Sequence, residues 1–339
     1  MSELTHLKEW LSLSDTTKRN VYQETGRKMG LPAVAIEKDW WMVHTLSIIF
    51  SMTCGTSLVF KGGTSLSKGW NLIQRFSEDI DLVLDRAYLG FDGELSKGDI
   101  RRLRRASYAF ITQTFTKELN SLFSEAGFTN VHIKNREVTN HDQDPLIIEI
   151  YYPKLTETDT YLKPGLLVEV GSRSLTEPFT LRTFGTFVSE NYKEQSFADS
   201  PITLPIVNPE RTFLEKIFLL HEEFQRPQEK MRVDRLTRHL YDIEKLMQTP
   251  FAQTALNDAH LYKTIVAHRS HFTPITGVDY ANHSPDKIRF IPIPPTKLLN
   301  SWENDYKQMQ ENMIYGESLP FAALIAKLTV LQKQINGMT

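Results

Sequence analysis

Asp79 and Asp81 stand two residues apart in RFSEDIDL, within the segment LVFKGGTSLSKGWNLIQRFSEDIDL. On a strand that spacing points both carboxylates to one face. Paired carboxylates are hard oxygen donors suited to Mg²⁺, which completes its shell with water and phosphate oxygens. Such a pair can hold two ions, one activating an acceptor hydroxyl and one neutralising a leaving pyrophosphate. Just upstream, Gly62 and Gly63 let the backbone approach a triphosphate closely. The N–H groups opening a helix there would meet the phosphate charge. Thr64 and Ser65 add hydroxyl donors, and Lys61 and Arg75 are nearby cations. Each part alone is ordinary, since Gly-Gly is usually a turn and Asp-x-Asp often binds nothing. The order strand, Gly-Gly, helix, Asp-x-Asp strand is far more selective. No GxxxxGK[ST] occurs, which disfavours Walker-type phosphate binding.

Other polar residues in apolar settings are candidates to join this segment. Glu169 in GLLVEVG and Glu149 in LIIEIYY each interrupt an apolar strand, and a buried carboxylate needs a partner or a metal. The residues themselves do not separate the two. Lys216 lies between an apolar stripe and the solvent face of its helix, where a long stem can reach into a cleft. Asp242 follows Arg238 by four residues and Glu215 follows Arg211 by four, spacings that local ion pairs also explain. His221 and His239 have no Cys/His cluster around them and read as structural or nucleotide-side contacts rather than metal ligands. The basic run from Lys97 to Arg105 places Arg101, Arg104 and Arg105 on one helix face. That is either a solvated face or a ridge for RNA phosphates.

The elements that must position these residues follow from caps and periodicity. Residues 1–50 read as helical, with Ser14 as an N-cap, Gly30 as a C-cap and a new helix after Leu31-Pro32. Trp40 and Trp41 read as core packing. Trp40–Phe60 contains no Asp, Glu, Lys or Arg, but its Thr, Ser and Gly residues make it a buried helix, a turn and a core strand rather than a membrane span. Thr64–Leu72 is expected to be a short helix, Ile80–Leu84 a strand and Asp99–Gly127 a long amphipathic helix. Strands follow over 128–152 and 165–171. Thr176–Val207, with Pro178, Pro201 and Pro205, reads as irregular, and a boundary falls near its end. Beyond it the chain turns helical. Pro209 stands at N1 behind Asn208, and Phe213, Ile217, Leu220 and Phe224 form a stripe. Further helices are expected over Asp234–Gln248, Thr296–Tyr315 and Leu319–Ile335.

Composition sets the bounds. At 339 residues the chain can build one large or two medium domains, and 40% hydrophobic with 24% charged residues is ordinary for a globular enzyme. A net charge of −2 offers no global basic field, so any nucleic-acid contact must be a local patch. The single cysteine, Cys54, excludes an internal disulfide and fits a reducing cytosol. MSELTHLKEW is polar where a signal peptide needs an apolar core.

KGGTSLSK followed by RFSEDIDL resembles the AbiEii/AbiGii toxin family of nucleotidyltransferases, and in plan is similar to the wider polymerase-beta-like superfamily. GLLVEVGSRSLTEPF resembles the family's next strand, and NPERTFLEKIFLLHEE and RHLYD its later motifs. The resemblance spans about Leu58 to Leu246. It implies an α/β (α+β) mixed-sheet nucleotidyltransferase domain with N-terminal helices over 1–207. A helical C-terminal domain over 208–339 would complete an active-site cleft. Asp79 and Asp81 would hold Mg²⁺ (or Mn²⁺), with Glu169 favoured over Glu149 as third carboxylate. Gly62, Gly63, Thr64 and Ser65 would cradle phosphate, with Lys61 and Arg75 as the nearby phosphate-binding cations. Lys216 would contact the triphosphate of an NTP, and Asp242 would complete the site. The implied reaction moves a nucleoside monophosphate to a hydroxyl, with the tRNA 3′ end as acceptor, growth inhibition as outcome and a separately encoded antitoxin as partner. A protein side chain or small molecule as acceptor, and a nucleotide binder without turnover, are the alternatives.

Overall fold

The structure is a computed structural model that describes residues 3–140, 143–157, 165–173, 178–283 and 289–337. Residues 174–177 of the GLLVEVGSRSLTEPF stretch therefore lie outside the described residues. The chain forms two compact units, one of Met1–Gly69 with Phe76–Val207, the other of Trp70–Arg75 with Asn208–Thr339.

The first unit begins with α1 (Glu3–Ser12), α2 (Asp15–Met29) and α3 (Ala33–Ser51). Ser14 caps α2 by accepting the Thr17 N–H, and Gly30 ends it in the left-handed region at φ 69°. After α3 come β1 (Leu58–Lys61), a short helix α4 (Gly62–Thr64) widening into a π turn over Ser65–Gly69, and β2 (Asp79–Leu84). The helix at the glycines thus stops at Gly69 rather than at Leu72, and the next residues join the other unit. The amphipathic segment is α5 (Lys97–Ala109) and α6 (Thr116–Glu125), joined through a π turn over Phe110–Phe115. Strands β3 (His132–Asn135), β4 (Leu146–Tyr151), β5 (Leu166–Gly171) and β6 (Phe179–Phe184), a short α7 (Phe187–Asn191) and β7 (Ile202–Val207) complete it.

These strands form one seven-stranded mixed sheet in the order β3-β4-β5-β2-β1-β7-β6. The region expected to be irregular supplies two of its strands. Pro205 hid β7, because proline lacks the ladder N–H. The structure accommodates it on a strand whose register with β1 is limited to Phe60 opposite Ile206. One sheet face is apolar and sealed. Phe60, Ile80, Leu82, Val168, Val170, Ile148 and Ile150 are almost wholly buried, with α3 packed against β5 and β7. Trp40 and Trp41 belong to this core, Trp40 stacked on Trp10 (centroids 5.3 Å apart) and Trp41 on Tyr152 (4.7 Å).

The second unit is helical: α8 (Pro209–Glu223), α9 (Thr237–Leu246), α10 (Pro250–Asn257), α11 (Ala259–Phe272), α12 (Leu299–Asn312) and α13 (Phe321–Gly337). Pro209 does occupy the first turn of α8, and Phe213, Ile217 and Leu220 are fully buried. Trp70–Arg75 is woven in by backbone contacts. The Tyr315 N–H donates to Gln74 O (3.0 Å), and Arg75 forms an isolated bridge with Ile314. Among the described residues no helix is long and apolar enough to cross a membrane.

Candidate active site

The acidic constellation lies on the half-exposed face of the first unit's sheet. Residues directly opposite on neighbouring strands share a face. Asp81 stands opposite Lys61 on antiparallel β1 and opposite Glu169 on parallel β5, and Asp79 stands opposite Leu167. Asp79, Asp81 and Glu169 therefore project from one surface, with Lys61 beside them. Glu169 carries the electrostatic mark of this crowding. Burial, then the charges of Asp81 and Asp79, push its carboxyl up to about 7 against the pull of Lys61 and Arg173.

The register also separates the two glutamates that sequence left equivalent. Glu149 on β4 is opposite Leu167, while Glu169 is opposite Ile147, so Glu149 is one strand farther from β2. It has its own partners: the Arg136 Nε donates to it (2.8 Å), the Tyr151 hydroxyl donates (2.9 Å), and Lys134 lies 3.4 Å away.

Gly62 is required here twice over. Its φ of +83° lies where residues with a side chain rarely go, and a Cβ built on it would come within 1.8 Å of Asp81 Oδ2. The Asp81 carboxylate thus rests against the bare face of the Gly-Gly turn. Gly63 follows in the same turn, half-exposed like Gly62. The hydroxyls beyond it are committed to the local backbone. Thr64 is buried and donates to the carbonyl of Asp79 (2.6 Å), and buried Ser65 donates to Gly62 O (2.9 Å). Thr64 thereby staples the turn to the strand that carries the aspartates.

Arg75, Lys216 and Asp242 come together in the second unit. The Arg75 guanidinium grips Asp242 with two bonds, Nε to Oδ1 (2.7 Å) and one terminal nitrogen to Oδ2 (2.8 Å). Lys216 Nζ lies 2.8 Å from the same Oδ2. All three are buried. Burial by itself would raise the Asp242 carboxyl, yet the two cations hold it well below the usual carboxylate range. Burial lowers the Lys216 ammonium against the opposing pull of Asp242. Asp242 thus has long-range partners in Arg75 and Lys216, and Arg211 pairs with Glu215 (3.2 Å). His221 is held neutral, down to about 3, by burial and by His283, and its Nδ1 accepts the Ile291 N–H. His239 is likewise buried and lowered by burial and Lys216.

The basic helix is α5, opened by a Ser96–Asp99 capping box. Arg101 and Arg105 are exposed, while Arg104 is half-buried and within electrostatic reach of Asp144 and Arg173.

Sequence reasoning missed Glu37, Lys38 and Asp39, three consecutive charges on α3, all buried. A signal was present. Charges within the otherwise apolar AVAIEKDWWMVHTLSIIF must find partners if the helix is buried. It also missed the Asp144–Arg173 pair (2.9 Å) just past the end of β5.

The chain matches the family described as Nucleotidyl transferase AbiEii toxin, Type IV TA system, over residues 50–327. The chain belongs to the AbiEii family. Comparison with curated proteins finds no match. The family is one of nucleotidyltransferase toxins of type IV toxin–antitoxin systems, which implies a separate antitoxin partner. In the first unit, the family's match takes in the Gly-Gly turn, β2 and β5, the elements that carry the acidic face. In the second unit it takes in α8 and α9.

As the side chains stand, no three His, Cys, Asp or Glu among the described residues converge closely enough to cage a metal ion. The donor chemistry of Asp79, Asp81 and Glu169 nevertheless suits a hard divalent cation, and their mutual repulsion is what such a cation relieves.

Proposed function

We propose that this AbiEii-family protein transfers a nucleoside monophosphate from an NTP to a hydroxyl, releasing pyrophosphate, with the tRNA 3′ end as acceptor. The observation that carries the reading is the register-aligned trio Asp79, Asp81 and Glu169, with Asp81 packed against a turn that only glycine fits. Asp79 and Asp81 would hold Mg²⁺ or Mn²⁺, with Glu169 as the third oxygen donor. When bound, the ion offsets charge on the phosphates and lowers the proton affinity of a bound hydroxyl. The chain's own residues do the rest. Gly62 and Gly63 let the main chain approach the triphosphate, and Lys61 supplies a positive charge beside Asp81. Glu169, on the same face as the two aspartates, would help take the proton of the acceptor hydroxyl. Arg75 and Lys216, the two cations on the Asp242 carboxylate, are the second unit's candidates to meet an anionic substrate group. Catalysis of this kind is positioning and charge stabilisation more than covalent work.

An RNA acceptor is favoured over a protein or small molecule by Arg101 and Arg105, exposed on the helix whose Arg104 turns toward Arg173, close to Glu169. The test is transfer from each labelled NTP, with Mg²⁺, to total tRNA, to protein extract, or to no acceptor. Label on tRNA 3′ ends supports the proposal, and label on protein moves the acceptor class. NTP binding with no label anywhere replaces the enzyme with a binder.

A further inference from the structure

We infer that Lys38 and Asp39, adjacent on α3, are positioning residues that fasten the two ends of the candidate reacting segment, setting where the Gly-Gly turn and the Asp79/Asp81 face stand. The inference rests on reading that segment as the site. Its geometry is a closed ring. Lys38 Nζ donates to Glu78, the residue immediately before Asp79, with both side chains buried. Asp39 Oδ1 pairs with Lys68 Nζ (2.9 Å), near the end of the π turn that follows Gly62–Thr64. Within the segment, the Thr64 hydroxyl donates to Asp79 O (2.6 Å) and closes the ring between turn and strand. Two neighbouring residues of one buried helix therefore hold the far end of the turn and the near end of β2.

The chemistry at each tether explains why charge is used. Glu78 immediately precedes β2, and extending the strand's alternation by one residue puts it on the face opposite to Asp79 and Asp81. A one-residue slip would turn every side chain of the strand over. A buried glutamate paired with Lys38 makes that slip costly. At the other tether, Asp39 Oδ2 also accepts the Phe187 N–H (2.6 Å), and the Lys68 ammonium lies 3.8 Å from the Phe187 ring centroid. Burial raises the Asp39 carboxyl against the pull of Lys68, so the pair exists at a desolvation penalty. Buried ion pairs of this kind are often matched or bettered in stability by apolar pairs of similar volume. Their value here is directional: they fix register where oily residues would slide. Glu37, the preceding residue, ties a third segment to the same helix by accepting the Leu155 N–H (2.7 Å) and the Thr156 N–H (3.1 Å).

The test replaces each tether by an uncharged pair that preserves packing. One double variant is Lys38→Met with Glu78→Leu. The other is Asp39→Asn with Lys68→Met, in which the new side-chain amide oxygen still accepts the Phe187 N–H. Thermal midpoints, amide exchange by segment, Mn²⁺ binding by EPR and transfer kinetics are read on the full chain. Midpoints should stay within a few degrees of wild type. Amides of 62–69 and 79–81 should exchange at least about tenfold faster, with β3 and β4, which do not pair with β2, unaffected. Transfer kcat should fall about 100-fold with KM for the NTP little changed. Wild-type exchange at those segments in a folded variant overturns the inference, as does a uniform rise over the whole sheet. If one pair does not fold, the other decides by the same criteria; failure of both to fold also overturns it, by making the charges structural. Wild-type protein that neither binds Mn²⁺ nor transfers a nucleotide sinks the proposed function, while the exchange pattern still decides the tethers.

Discussion

Gly62→Ala and Gly90→Ala form a matched pair that isolates one contact. Both glycines have positive φ, +83° and +81°, so each substitution carries a backbone penalty of about 1–2 kcal/mol. They differ in surroundings. A Cβ at Gly90 meets nothing within 4 Å, whereas at Gly62 it comes within 1.8 Å of Asp81 Oδ2. Ordinary van der Waals contact requires the carboxylate to retreat by roughly 1.5 Å or the turn to move by as much. A displacement near 1 Å at a reacting centre costs about 100-fold in rate, which is about 2.7 kcal/mol of activation free energy. Gly62→Ala should therefore lose about 100-fold or more in kcat for NMP transfer, while the melting point falls no further than for Gly90→Ala. Gly90→Ala should keep nearly full activity. The assay is single-turnover transfer of labelled NMP at saturating NTP, alongside thermal unfolding of both variants. Equal activity of the two variants would refute the placement of Asp81 against the turn as the reason Gly62 is glycine.

Asp242→Asn should destabilise the second unit by about 3–5 kcal/mol at pH 7, because two buried cations lose their carboxylate. The Asp242 carboxyl is depressed in the folded state, so its stabilisation is present above the usual carboxylate range and fades as pH falls toward the folded value. The gap to wild type in denaturant unfolding should narrow below about pH 4, and a pH-independent gap would contradict the pairing. Glu169 behaves oppositely. Its carboxyl is raised to about 7, so without a divalent ion the fold should lose stability as pH climbs from the ordinary carboxylate value through about 7, and Glu169→Gln should abolish that slope. Divalent-ion affinity should rise over the same window, as read by Mn²⁺ titration, and a flat profile would count against Glu169 as a donor. Arg101→Ala with Arg105→Ala should weaken tRNA binding and reduce the salt dependence by about 0.7 per lost phosphate contact, with an unchanged slope ruling out the ridge.

The parts legible in the sequence were those set by local rules. Ser14 and Gly30 marked the ends of α2, and Pro209 marked the start of α8, because caps and ring constraints act within a turn. Asp79 and Asp81 announced a shared face because strand alternation is local too. What the sequence hid was long-range. The choice between Glu149 and Glu169 depended on which strand pairs with β2, a register no single stretch encodes. The Arg75–Asp242 pair joins residues 167 positions apart, and its nearer rival, Arg238, had the simpler local case. Strand β7 was masked by Pro205, because a proline argues against an interior strand and β7 lies between β1 and β6. The charges of α3 were visible, but only the packed helix shows that they face inward to Glu78 and Lys68.

The most direct test of the central claim is the stoichiometry of transfer in wild type and in Asp79→Ala. The account predicts one pyrophosphate released for each nucleotide incorporated by the wild type, and neither product from a folded Asp79→Ala protein. Undiminished incorporation by Asp79→Ala, or release of orthophosphate in place of pyrophosphate, would contradict it.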